Sequence, residues 1–166
     1  MKLQGKAHKY GADVNTDLII PARYLHDDDR TRWVKHCMED IDTEFVKRLK
    51  TGDFIVATTN FGCGSSREQA PIVIKESGVS GVIASSFARI FFRNAINIGL
   101  PILESPEAAE AAQMGDELEV DLGTGTIRNL SRNQTFHAQP FPDFMRGIME
   151  KGGLIAYTRE RFKKKR

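Results

Sequence analysis

The sequence has few cysteines, and this scarcity limits the classes of protein to which it can belong. Only two occur among its 166 residues, Cys37 and Cys63. Two cysteines cannot build a disulfide framework, and two thiolates are too few to hold a zinc ion or an iron–sulfur cluster within this chain. We therefore expect the protein to work in a reducing compartment, the cytoplasm.

Long hydrophobic runs and an excess of one charge are also absent. No apolar stretch reaches the ~18 residues of a membrane span, and residues 1–6 lack the apolar segment of a signal peptide. The 24 basic and 22 acidic side chains give a formal net charge of +2, which does not favour nucleic acid as a partner. Hydrophobic and charged fractions of 40% and 28% are typical of a globular protein, and the length predicts one domain over 1–166.

Strands and helices are predicted to alternate through the middle of the chain. Apolar runs at 53–58 and 81–85 predict buried strands, and helices are predicted from about 65 to 78 and from 86 to 98. This order predicts parallel pairing with right-handed crossovers, and hence an α/β class with mixed sheets. The other predicted elements are a loop and a helix over 42–50, a strand over 100–103, a brief helix from 105, a hairpin of strands 117–122 and 126–130, and an amphipathic helix over 141–149.

The chain ends on a strongly basic segment. Six of the eight residues in 159–166 are lysine or arginine. We expect a solvated or disordered tail here, because nothing in its pattern predicts a buried face. Docking onto an acidic surface of a partner is the alternative.

The segment that carries chemistry is 62–67, with the sequence Gly-Cys-Gly-Ser-Ser-Arg. Its two glycines permit a tight turn and a close approach of ligand to backbone. The serines and the arginine are predicted to occupy the first turn of a helix, where free N–H groups and a guanidinium suit a carboxylate. The pattern therefore predicts an anion site. A capping box, with Ser65 as N-cap and Glu68 reaching back, is the alternative.

Three ordered motifs make the sequence similar to one family. Gly62-x-Gly64-Ser65-Ser66-Arg67-Glu68 resembles the signature of the swivelling domain of the aconitase superfamily. Segment 85–103 resembles the strand and helix that follow that signature in the family, and 13–21 resembles its N-terminal motif. The resemblance implies a three-layer β/β/α swivelling domain that forms a separate small subunit and closes over a large subunit. It also implies that the large subunit carries a [4Fe–4S] cluster, whereas this chain binds no cofactor.

The resemblance assigns roles to the motif residues. Ser65 matches a serine alkoxide that removes a proton from a carbon next to a carboxylate, in a hydro-lyase that dehydrates and rehydrates its substrate. Helix N–H groups, a nearby arginine and exclusion of water would favour this alkoxide. Asp17 matches an aspartate near the bound substrate in the family, and an Asx-type turn or a helix cap is the alternative role for it. The substrate-binding residues that the resemblance implies are Thr16, Asp17, Gly64, Ser66 and Arg67.

Other polar residues near the motifs are not assigned to the chemistry. Cys63 has no histidine beside it and is predicted to be a packing residue. None of the four histidines shows the spacing of metal ligands, so no metal site is predicted. Gln69 stands where the family more often has histidine, and we expect it to alter packing or a supporting hydrogen bond and to leave the chemistry intact.

Substrate choice is expected to depend on the loop 24–32, because the loop after the N-terminal motif contacts the substrate's side group in this family. An apolar group would be contacted by its tyrosine and leucine, at roughly 0.8 kcal/mol per buried methylene, whereas an extra carboxylate would need one of its arginines. The implied specificity residues are Tyr24, Leu25, His26, Arg30 and Arg32.

The resemblance leads us to expect a reaction that interconverts 2-isopropylmalate and 3-isopropylmalate through 2-isopropylmaleate, a step of leucine biosynthesis. A reaction of the homoaconitase type or of the 2,3-dimethylmalate type is the alternative. A module that binds an anion without catalysis is the more remote one.

Overall fold

A seven-stranded mixed sheet organises the computed structural model, which describes residues 1–163. Its strands are β1 (Lys2–Lys9), β2 (Phe54–Ala57), β3 (Gly81–Ala84), β4 (Ile102–Glu104), β5 (Glu117–Asp121), β6 (Thr126–Asn129) and β7 (Gln134–His137). The described α-helices are α1 (Thr16–Ile19), α2 (Arg30–Lys35), α3 (Phe45–Arg48), α4 (Gln69–Glu76), α5 (Arg89–Ile98), α6 (Pro106–Ala111), α7 (Asp143–Glu150) and α8 (Leu154–Lys163), and a 3₁₀ turn covers Ala22–Tyr24.

Strand β1 joins a parallel half of the sheet to an antiparallel half. The strand order is β4-β3-β2-β1-β5-β6-β7. Residues 7–9 of β1 pair in parallel with β2, whereas residues 2–6 pair antiparallel with β5. The pairs β2–β3 and β3–β4 are parallel, and β5–β6 and β6–β7 are antiparallel. The predicted α/β class with a mixed sheet is therefore confirmed.

The burial pattern of each strand agrees with the half of the sheet in which the strand lies. Every residue of β2 and β3 is buried, as expected for parallel strands that are covered on both faces. Strand β5 alternates between buried and partly exposed residues, which is the pattern of an antiparallel strand with one face toward solvent. The sequence pattern at 117–122 and 126–130 predicted this hairpin, but β7 was missed because its sequence, QTFH, contains a single large apolar residue.

The C-terminal segment differs from the prediction of a disordered tail. Residues 159–163 continue α8, and residues 164–166 lie outside the described part of the chain. The helix packs against α5 and α7, and the Tyr157 ring lies over Gly147, where an added Cβ would come within 2.7 Å of it. An ion pair of 2.7 Å between Lys151 and Glu160 adds a second link. No helix within residues 1–163 is suited to crossing a membrane.

Candidate active site

The candidate site lies at the edge of the sheet where the parallel strands β1, β2 and β3 end. Parallel strands place their carboxyl ends on the same edge, so the loops that follow them are neighbours in space. Backbone hydrogen bonds continue the sheet into these loops. The Thr58 N–H donates to the Gly11 carbonyl (3.2 Å), and the Ser85 N–H donates to the Thr58 carbonyl (3.0 Å).

The glycine-rich segment 62–67 is tied on one side to the loop after β1. The Thr16 N–H donates to the Cys63 carbonyl at 2.9 Å. The Thr16 hydroxyl donates to the Ser65 carbonyl at 3.1 Å. Because Thr16 is only 2% exposed, these bonds are shielded from water and fix the backbone of Ser65 against the loop.

The same segment is held on its other side by the start of α5. The Phe61 N–H donates to the Ser86 carbonyl at 3.0 Å, and the Ala88 N–H donates to the Phe61 carbonyl at 2.9 Å. Gly62 has a φ of +79°, and a Cβ there would lie 2.2 Å from Cγ of Phe91. Only glycine lets the phenyl ring pack this closely, so α5 begins directly beside the segment.

The predicted helix start at Ser65 and the capping-box alternative are wrong. Helix α4 begins at Gln69, and its N-cap, Glu68, makes no side-chain capping hydrogen bond. The Arg67 N–H instead donates to the Ser65 carbonyl at 2.7 Å and closes a three-residue turn over 65–67. We call residues 64–67 the serine turn. Hydrogen bonds to the neighbouring loops hold this geometry, so Ser65 and Ser66 lie exposed ahead of the helix.

The guanidinium of Arg67 links the serine turn to the loop and helix that follow β1. Its Nη1 donates to the Ile20 carbonyl at 2.7 Å, and its Nη2 lies 2.7 Å from Asp17 Oδ1. The Arg67 side chain is 13% exposed and that of Asp17 is 60% exposed. Asp17 does not cap α1, because Asn15 Oδ1 accepts the capping bond from the Leu18 N–H. Two donors of the arginine fork are therefore already engaged.

An open depression of about 460 Å³ lies between the serine turn and the first turns of α5. Ser65 and Ser66 line it from the turn, and Arg89 and Arg93 line it from the helix, all four being exposed. Neither arginine was predicted as a site residue. The signal that points to them is topological, because α5 follows β3 and β3 adjoins β2, which places the start of α5 beside the loop after β2. Gly62, Gly64, Ala88 and Ile90 complete the lining.

The predicted specificity loop, 24–32, is held by contacts with other parts of the N-terminal half. The Tyr24 ring stacks on the His36 ring with centroids 3.7 Å apart, and the Tyr24 hydroxyl donates to a Glu39 carboxylate oxygen at 2.8 Å. Leu25 is partly buried and packs against the core. The apolar part of this loop is thus an organised surface.

Both arginines of the loop are paired within the chain. Arg32 Nη1 lies 3.0 Å from Asp27 and 3.0 Å from His26 Nε2. Arg30 pairs at 2.6 Å with Glu76, the last residue of α4, so it lies at the opposite end of that helix from the serine turn. Within residues 1–163, no hydrogen bond or ion pair joins the loop to the serine turn. The structure therefore brings Thr16, Asp17 and 64–67 together, but not the loop.

The two cysteines do not form a metal site. Burial raises the pKa of Cys37 to about 12. Burial, together with the negative charge of Asp13, also raises the pKa of Cys63, so both thiols are protonated at neutral pH. No group of three or more His, Cys, Asp or Glu side chains in the described part of the chain is placed to hold a metal ion. These donors do not fit an iron–sulfur cluster, which requires several thiolates.

Comparison with known proteins identifies close relatives over nearly the whole chain. The model of the aconitase C-terminal domain family matches residues 4–108. A 3-isopropylmalate dehydratase small subunit of Endomicrobium trichonymphae is 60% identical over 157 residues, 95% of this chain and 96% of its own length. One of Caldicellulosiruptor saccharolyticus is 59% identical, over 99% of this chain and 95% of its own.

A solved structure shows the same fold. The crystal structure of a 3-isopropylmalate dehydratase from Methanocaldococcus jannaschii matches with a TM-score of 0.91 and 46% sequence identity. The match covers 97% of this chain and 95% of that one. The swivelling-domain fold predicted from the motifs is thereby confirmed.

Proposed function

This chain belongs to the aconitase C-terminal domain family, and on that premise we propose that it is the small subunit of a 3-isopropylmalate dehydratase. Relatives of that name are 60% and 59% identical to it over nearly their whole length. The enzyme is a hydro-lyase that interconverts 2-isopropylmalate and 3-isopropylmalate. Water leaves to give 2-isopropylmaleate and returns with the hydroxyl on the neighbouring carbon, in a step of leucine biosynthesis.

The group that we assign to proton removal is Ser65. The observation that carries this assignment is its exposure in a depression lined by two arginines that have no partner among residues 1–163, while Thr16 and the Arg67 N–H hold its backbone. A serine hydroxyl acts as a base only if its alkoxide is stabilised, and each unit of pKa lowering needs about 1.36 kcal/mol. Positive charges near the oxygen favour the alkoxide.

In this proposal Ser65 accepts the proton that leaves carbon during the dehydration. The alkoxide takes the proton of the carbon next to a carboxylate, and the C–H electron pair becomes the C=C bond. The hydroxyl departs from the adjacent carbon as water once it has received a second proton. Rehydration reverses these steps with the two carbons exchanged.

The neighbours of Ser65 bind and orient the substrate in this proposal. Ser66 is exposed in the same depression and offers a hydroxyl for hydrogen bonding. Gly64, with a φ of +88°, exposes backbone to a ligand because it has no side chain. Arg67 offers its remaining donors to a carboxylate, and Asp17 and Thr16 keep the guanidinium and the turn in position.

A large subunit is the partner that we assign to this chain, in a heterodimer, and we place the [4Fe–4S] cluster on that subunit. The support is chemical, because the two cysteines of this chain are protonated and lie apart from any group of metal ligands within residues 1–163. Both cysteines are free thiols, which supports a cytoplasmic location.

Isopropylmalate is the substrate that the loop 24–32 favours. Arg30 and Arg32 already pair with carboxylates of this chain, so neither offers a free charge to an additional carboxylate such as a homoaconitase substrate carries. Tyr24, Leu25 and His26 remain the proposed contacts for the branched side group, which they would reach when the large subunit closes on this domain.

Comparison of Ser65→Ala with Ser80→Ala in the cluster-loaded two-subunit complex tests the function. Ser80 precedes β3 and so lies at the opposite edge of the sheet from the candidate site. We expect Ser65→Ala to lower kcat about 10²- to 10⁴-fold, the usual contribution of a positioned base, with little change in the binding of 2-isopropylmalate. Ser80→Ala should match wild type.

Two results would contradict the proposal. Full activity of Ser65→Ala would remove the base assignment while leaving the enzyme class intact. A wild-type complex that binds a diacid but turns over neither isopropylmalate isomer would instead favour a non-catalytic anion-binding module.

A further inference from the structure

Two arginines of α5 have no hydrogen-bond or ion-pair partner in the described part of the chain. Arg89 and Arg93 are both exposed, and they line the depression that also contains Ser65 and Ser66. They are four residues apart on a helix, so their side chains emerge on the same face about 5–6 Å from each other. Neither side chain forms an ion pair or a hydrogen bond within residues 1–163. Other arginines around the site do have partners.

The charge count at the serine turn shows why these cations matter. Arg67 is paired with Asp17 and donates to the Ile20 carbonyl, so the charges of this arginine and aspartate cancel. A malate-type substrate carries two carboxylates. The serine turn by itself therefore has no net positive charge to balance a dianion. Arg89 and Arg93 supply two positive charges on the other side of the same depression, and nothing within 1–163 pairs with them.

We propose that Arg89 and Arg93 bind the substrate carboxylate attached to the carbon that Ser65 deprotonates. This inference rests on the proposed function. Removal of the proton moves negative charge onto that carboxylate, and two guanidinium groups facing it would stabilise the charge as it develops. The carboxylate of the reacting carbon is the one closest to Ser65, and a fork of N–H donors suits its two oxygens. Packing of Phe91 on Gly62 holds the helix in place for this contact.

The experiment uses the cluster-loaded complex with Arg89→Gln, Arg93→Gln and the corresponding lysine variants. Arg128→Gln is the matched control, because Arg128 is an exposed arginine on β6 that pairs with Glu119. The ligands are 3-isopropylmalate and 2-hydroxy-4-methylpentanoate, a monoacid that keeps the branched side group and the carboxylate of the hydroxyl-bearing carbon but lacks the carboxylate in question. Measurements are KM, kcat, equilibrium binding of both acids, and the large-subunit concentration that gives half-maximal activity.

We expect each glutamine variant to raise KM for the diacid about 10- to 100-fold and to weaken its binding by a similar factor, as for loss of a charge-assisted hydrogen bond. It should also lower kcat, because the charge that develops on the carboxylate loses a stabilising cation. Lysine should restore part of the loss, since it keeps the charge without the fork. Binding of the monoacid, the half-maximal large-subunit concentration and Arg128→Gln should stay within about twofold of wild type, a change of only about 0.4 kcal/mol.

Three results would overturn the inference. Diacid binding could be unchanged, both acids could lose affinity equally, or the variants could act only by raising the large-subunit concentration required, which would assign the arginines to the subunit interface. If the wild-type complex fails to turn over isopropylmalate, the binding measurements still test whether the two arginines contact the carboxylate. Selective loss of diacid binding would then support the carboxylate contact while the proposed reaction fails, and the absence of such a loss would reject both.

Discussion

Replacement of Arg67 by alanine should destabilise the fold more than replacement of its ion-pair partner, Asp17. Arg67 Nη1 donates to the carbonyl of Ile20, a fully buried residue to which no backbone N–H in residues 1–163 donates. Leaving a buried carbonyl unsatisfied costs about 1–3 kcal/mol. The pair with Asp17, whose side chain is 60% exposed, contributes only about 0–1 kcal/mol.

These costs convert into a measurable difference in unfolding temperature. For a chain of this length 1 kcal/mol corresponds to roughly 2–4 °C, so Arg67→Ala, which loses both contacts, should lower Tm by about 2–16 °C and Asp17→Ala by about 4 °C at most. Thermal unfolding followed by circular dichroism checks this, and Arg67→Lys should lie between wild type and Arg67→Ala because one ammonium cannot make both contacts. Equal destabilisation by Arg67→Ala and Asp17→Ala would refute the reasoning, since it would mean that the ion pair, and not the bond to Ile20, holds the loops together.

Two further predictions concern the packing that supports the site. Gly62→Ala should lower the free energy of unfolding by about 2–5 kcal/mol, because it combines a left-handed backbone with a clash against Phe91. Gly115→Ala, with a φ of +84° and open space around it, should lower it by only about 1–2 kcal/mol. Equal losses for the two variants in urea unfolding would exclude the clash as a cause. Burial alone would raise the pKa of Asp53, but hydrogen bonds from His8 and two backbone N–H groups outweigh burial and lower it. The lowered folded-state pKa means that ionised Asp53 stabilises the fold above the unfolded pKa of about 3.9. This contribution is lost as pH falls toward the folded value, so the stability gap between wild type and Asp53→Asn should shrink from pH 5 to pH 3.

Elements with a strong local signal were predicted well. The buried strands β2 and β3 were recognised from uninterrupted apolar runs, and α5 from its apolar stripe and the terminal Gly99, whose φ of +75° ends the helix. The hairpin of β5 and β6 was likewise predicted from alternation across a glycine-containing turn. These patterns are short-range, so they do not depend on which segments become neighbours.

The start of α4 shows where local reasoning failed. Ser65 to Glu68 fits a capping box by spacing, yet the helix begins at Gln69. The competing interactions are long-range, because the hydroxyl of Thr16 and the carbonyl of Ile20 bind the turn from 49 and 47 residues away. Spacing within a motif contains no information about such partners.

What the amino-acid order determined by itself was the chemistry available: a serine-rich turn beside an arginine, too few thiols for a cluster, and alternating elements that require a parallel sheet. Tertiary structure decided which charges are free. Pairing of β2 with β3 places Arg89 and Arg93 opposite Ser65, where neither has a partner among the residues that the structure describes. Arg67, Arg30 and Arg32, by contrast, are neutralised by carboxylates distant or near in sequence. The reason is that a charged side chain attracts a ligand strongly only when no opposite charge of the protein lies beside it. Whether one does depends on distances in the folded structure, which the order of residues does not state.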